Sequence, residues 1–179
     1  MPVVTFNFTS GVTADNDPNS GTPTRFASQT IGGNTLTLAL DAASTAAAVV
    51  MDEQDFFSSD IPNLNGAAFE TTFDAFANSL TLSLDGGKTF DLTGLNIIDE
   101  AGNKTSFTFT TVKGSVTAVV DSSQNEAVAL SLSDPKLQGV TSVVITQQGP
   151  GPNMLIGLDD IKLDNIAVAN AAPWPPCCT

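Results

Sequence analysis

The 179-residue chain has no histidine and no tyrosine, one tryptophan, six basic residues and two adjacent cysteines. Without histidine, no Ser-His-Asp or Cys-His nucleophile can be assembled, nor a zinc site of the usual histidine-containing kinds. Lyases that move protons with tyrosine and histidine lose their reagents as well. Cys177 and Cys178 cannot staple two parts of a core, and their context, "AAPWPPCCT", reads as a proline-containing tail over residues 170–179 behind one domain at 1–169. Trp174 lies in that tail, so no planar aromatic platform is expected for crystalline polysaccharide. No apolar run approaches the ~18 residues of a membrane span, and no charged and then apolar leader follows Met1-Pro2. Membrane insertion is not expected, and secretion would rest on a signal already removed or carried by a longer parent.

Nineteen acidic residues give a formal charge of −13. Such a chain repels nucleic acid and anionic lipid, and its acidity points either to cation binding or simply to solubility. Charged residues make up only 14% of the chain, so Ser, Thr, Asn and Gly fill most polar positions.

Most of the sequence alternates with period two, the mark of strands buried on one face. "VVTFNFT" aligns Val4, Phe6 and Phe8; "NTLTLAL" aligns Leu36, Leu38 and Leu40; "SLTLSLD" aligns Leu80, Leu82 and Leu84, with Thr or Ser facing outward between them. The pattern continues through "KTFDLTGLNII", "KTSFTFTTV", "SVTAVVD", "AVALSLS", "VTSVVIT" and "MLIGLDDIKL", divided by turn signals at Asp85-Gly86-Gly87 and Ala101-Gly102-Asn103. The expected fold is all-β, an antiparallel, jelly-roll-like β-sandwich with at most one short helix. The helical candidate is "DAASTAAAVVMDEQDFF", whose alanines could instead pack against a sheet.

Two stretches carry candidate chemistry. "VTADNDPNSGTP", Val12 to Pro23, places Asp15, Asp17 and Asn19 at alternate positions, as in the first half of a calcium loop. Gly21 falls one place too late for an EF-hand and no glutamate closes the loop, so a polar turn is the competing reading. In "IGLDDIKLDNI", alternation places Asp159 with Ile161 and Leu163, so a carboxylate stands among core positions and needs a cation, donors or a raised pKa. First and last strands of antiparallel sandwiches often lie side by side. That would bring Asp15, Asp17, Asn19 and Asp159 together around a structural Ca2+.

Catalysis retains one route, since a glycosidase needs only two carboxylates at a set separation. Asp52, Glu53 and Asp55 in "MDEQDFF", with Glu70 nearby, supply the residue types, but nothing in the pattern holds them around a cleft, and a solvated acidic turn is the favoured reading.

"KTFDLTGLNII", followed later by "LQGVTSVVITQQGPGPNMLIGLDDIKL", resembles secreted bacterial jelly-roll domains related to carbohydrate-binding modules, which occur in extracellular adhesins and exported proteins. The resemblance covers Lys88 to Leu163 best. It implies a β-sandwich, often with one structural calcium to which the aspartate of the closing motif, here Asp159, contributes. The sugar-stacking aromatics of such modules are lacking.

The sequence thus leads to a non-catalytic, calcium-stabilised extracellular or cell-surface module for adhesion. Its expected partner is a cell-surface or matrix polymer, glycans included. The alternatives are a self-assembling subunit of a filament, sheath or surface layer, joined through strand edges, and a glycan-active enzyme.

Overall fold

The computed structural model describes residues 2–10, 12–13, 26–42, 48–52, 67–71, 79–99, 104–124, 126–148 and 156–169. Among them there is no α-helix: thirteen strands form two antiparallel sheets packed as a β-sandwich. The strands are β1 (Val4–Phe6), β2 (Val12–Thr13), β3 (Phe26–Ile31), β4 (Asn34–Leu40), β5 (Ala48–Asp52), β6 (Ala67–Thr71) and β7 (Leu80–Leu84). After these come β8 (Thr89–Asp99), β9 (Lys104–Thr111), β10 (Gly114–Asp121), β11 (Val128–Ser131), β12 (Ser142–Gln148) and β13 (Ile156–Ala167). The six-stranded sheet runs β11-β8-β13-β6-β5, with β1 also on β13; the seven-stranded sheet runs β10-β9-β12-β7-β4-β3-β2.

Period-two patterning builds this directly. The Leu36, Leu38 and Leu40 row of β4 and the Leu80, Leu82 and Leu84 row of β7 are buried, and both join Phe6, Phe90, Phe107 and Phe109 in one core between the sheets. Threonine and serine occupy the alternate positions because that face turns to water. The β3–β4 hairpin closes on Gly32 and Gly33, with φ of 57° and 77°. That two-residue turn needs positive φ at both positions, which glycine supplies without steric cost.

The helical alternative fails at Ala48–Asp52, which pairs antiparallel with Ala67–Thr71. Val49 and Val50 favour the strand. The flanking parts of that candidate segment lie outside the described residues, as do the Ala101-Gly102-Asn103 turn and the 170–179 tail.

The first and last strands do lie side by side: Val4 pairs with Leu163, Thr5 with Lys162 and Phe6 with Ile161. The chain then turns at Phe8, whose φ is 56°, and reaches β2 in the other sheet. Gln29, fully buried in β3, fixes this crossing. Its Oε1 accepts from Phe8 N at 3.0 Å and its Nε2 donates to the Ser10 carbonyl at 2.8 Å. The register places Val4 and Ala167 at one end of the sandwich, with the Gly32-Gly33 and Asp85–Gly87 turns. Asp99, Lys104, Gln148 and Ile156 mark the opposite end.

Candidate functional site: a buried aspartate and a hydroxyl face

Asp159 is fully buried, but not for the reason alternation suggests. Ile156 and Leu158 belong to the core, and so do Ile161 and Leu163, so one residue too many separates the two pairs for a regular strand. The excess is a β-bulge. The β13–β8 register slips between Asp159 and Lys162, and Asp160 takes a φ of 46°, a conformation aspartate tolerates better than most residues. Asp159 therefore stands opposite Asn96 on the face turned away from the sandwich core, which corrects its placement with Ile161 and Leu163. That outer face is itself buried here: Asn96 is 7% exposed, and Ile98, outside the core cluster, is 2% exposed. The six-stranded sheet is thus covered on both sides along Gly94–Asp99 and Ile156–Asp159.

Asn96 Nδ2 donates to Asp160 Oδ2 at 3.4 Å, and neither Asp159 nor Asp160 is without a partner. A carboxylate at this depth stays charged only where donors or a cation compensate it. Asp15, Asp17 and Asn19 lie outside the described residues. The strands flanking them, β2 and β3, direct both chain ends of that segment toward the Asp99 and Ile156 end, the same end as Asp159. Among the described residues, no three Asp, Glu, Cys or His side chains gather as a metal-binding group.

Of the carboxylates considered for glycoside hydrolysis, Glu53 and Asp55 lie outside the described residues. Position 70 pairs with Val49, and Asp52 lies three residues beyond Val49, so positions 52 and 70 fall on opposite faces of the β5–β6 ladder. A carboxylate pair must flank one bond from a single cleft. Position 70 does share its face with Asp159, since it pairs with Gly157.

The outward face of the seven-stranded sheet is the largest regular surface feature. The register aligns Ser115, Thr110, Val144, Thr81, Ala39 and Phe26 in one row across six strands. A second row holds Ser142, Ser83, Thr37 and Ser28, and a third Thr146, Thr108 and Thr117. Neighbouring hydroxyls bond across strands: Thr30 with Thr35 at 2.9 Å, Thr108 with Thr117 at 3.1 Å, Thr110 with Ser115 at 3.0 Å. Each linked pair keeps lone pairs for an outside donor.

Charge is sparse on this face among the described residues. At outward positions within the strands, only Lys104 and Asp121 of these residues are charged, and they pair at 3.6 Å at one corner; Asp41, bonded to Ser79, and Asp85, bonded to Thr35, continue the same alternation at the two ends of the face. Hydrogen bonds from the Ser123 hydroxyl and N–H, then Lys104, hold the Asp121 carboxyl below the usual aspartate range. Asp85, at the turn end, accepts from Thr35 N at 2.9 Å and from Lys88 Nζ at 3.1 Å. Those contacts, the Thr35 N–H first, lower its pKa.

The alternating Thr and Ser residues are readable from the sequence as outward-facing. Their alignment into rows is not, because register between strands distant in sequence has no local signal. Comparison with protein-family models, with curated proteins and with solved structures gives no match. No helix among the described residues is long and apolar enough to cross a membrane.

Proposed function

We propose that this protein is a non-catalytic extracellular attachment module, gripping an uncharged, hydroxyl-rich surface or matrix polymer with the outward face of its seven-stranded sheet. The observation that carries the reading is the contrast between a chain of charge −13 and a hydroxyl face on which the charged side chains among the described residues lie only at the margins. Fixed rows of hydroxyls and small apolar groups suit a polyhydroxylated partner, because hydrogen bonds and C–H contacts alternate on both sides. The missing histidine and tyrosine, and the opposite faces of positions 52 and 70, favour binding over catalysis. The extracellular location rests on composition and on the resemblance of the closing motif.

A structural calcium belongs to the same proposal, held by Asp159 with Asp15, Asp17 and Asn19. Its support is the burial of Asp159 and the direction of the strands flanking residues 14–25.

A binding screen over neutral, anionic and cationic polymers tests the reading, using the parent and Thr81→Glu, a charge placed mid-face on a half-buried position. The parent should retain neutral polymers, and Thr81→Glu should weaken retention about tenfold or more, since an unpaired charge facing an uncharged ligand must be desolvated. No retention of any polymer, or retention indifferent to Thr81→Glu, refutes it.

A further inference from the structure

The edge of the seven-stranded sheet formed by β10 carries a separate inference. Among the described residues β10 pairs only with β9, and three observations show which of its backbone groups point outward. The hydroxyls of Ser115 and Thr117 bond across to Thr110 and Thr108, as side chains do in the close, non-hydrogen-bonded pairs of an antiparallel ladder. The hairpin loop is two residues, Val112 and Lys113, so Gly114 and Thr111 form the hydrogen-bonded pair and Ser115 the next, open one. Lys136 Nζ donates to the Ser115 carbonyl at 3.2 Å from outside the sheet. The N–H and C=O of Thr117 and Val119 therefore turn away from β9 as well, and Val119 is 58% exposed.

We propose that β10 pairs antiparallel with β10 of a second copy, about a two-fold axis at Ala118. In that register Thr117 of each copy meets Val119 of the other, and four outward backbone groups on each strand form four hydrogen bonds. The exposed Val119 is covered by a threonine methyl. Asp121 of each copy arrives opposite Ser115 of the other, where the Lys136 ammonium already sits. The edge is thus complementary to itself in charge as well as in hydrogen bonding. Lys136 also stops the ladder, because it occupies the Ser115 carbonyl that a longer pairing would use. A net charge of −13 on each copy opposes approach, so the dimer forms at ionic strengths that screen it.

Sedimentation equilibrium of the full chain at physiological salt, over a wide range of concentration, tests this. The parent should show a concentration-dependent dimer and no larger species. Val119→Pro removes an N–H that β9 does not use, so the monomer should keep its β-sheet circular dichroism and lose the dimer. Asp121→Lys and Lys136→Glu should each weaken dimerisation about tenfold or more through like-charge contacts. The double variant Asp121→Lys/Lys136→Glu should restore it, which lost folding cannot mimic. A parent that stays monomeric throughout, a dimer indifferent to Val119→Pro, or a double variant as weak as the singles overturns the proposal.

Discussion

Single residues carry opposite lessons in this chain. Phe6, Phe107 and Phe109 are buried as alternation requires, because a period-two pattern needs no knowledge of the partner strand, whereas Phe8 is buried at the turn that follows β1. The same alternation marks Asp159 correctly as a buried carboxylate and places it on the wrong face. The reason is Asp160: one residue in the left-handed region inverts everything after it, and only the adjacent pair of aspartates hints at it. Gln29 gives no warning, since a glutamine between Ser28 and Thr30 resembles any polar strand position until the Phe8 turn demands an acceptor. Asp85 allows a prediction at this scale. Its folded pKa is depressed, so the stability it contributes is present above the ordinary carboxylate value of 3.8 and is lost as pH falls through the depressed one. Lys88 and the Thr35 N–H should hold its carboxyl resonance titrating below 3.8 by NMR, and Asp85→Asn should flatten the acid limb of stability. A carboxyl that titrates at or above 3.8 contradicts the contact. Because nearly half of the side chain is exposed, the effect is small.

At the scale of elements, strands with apolar alternation are legible in the sequence whatever their length, and strands without it are not. β4, β7, β9 and β12 announce themselves by regular apolar alternation, whereas β2, β5 and β6 acquire their strand character from neighbours distant in sequence. Gly94 shows how closely elements approach without a sequence signal. A Cβ there would lie 2.7 Å from the Leu130 carbonyl oxygen of β11, and Gly94 pairs with Ser131 on that strand. Backbone cannot yield as a flexible side chain does. Gly94→Ala should therefore destabilise the fold by about 1–3 kcal/mol, read as a lowered urea midpoint with an unchanged slope. An unchanged midpoint would mean that β11 moves aside without cost.

The whole molecule combines a net charge of −13 with a sheet face whose charged side chains, among the described residues, lie at its margins. Calcium should act at this scale, since a cation bound only by the folded chain stabilises it by about 2.7 kcal/mol at 100 times its dissociation constant. A thermal melt in millimolar calcium should rise by several degrees over one in excess EDTA. Asp159→Asn and Asp15→Asn should each remove the difference. Identical melts with and without calcium would leave "DNDPNSG" as a polar turn and shift weight toward the self-assembling reading. The sandwich class follows from strand number and spacing alone. The strand order does not, because pairings such as β12 between β7 and β9 join segments that only the folded chain brings together.

The shared end of Val4 and Ala167 decides how the protein answers a pull. With β1 lying antiparallel against β13, tension applied at both of these points loads the ladder at its first rung, Val4 opposite Leu163. The bonds then break in succession, like a zipper, instead of sharing the load in shear. A body strung in series through both ends would give way at low force.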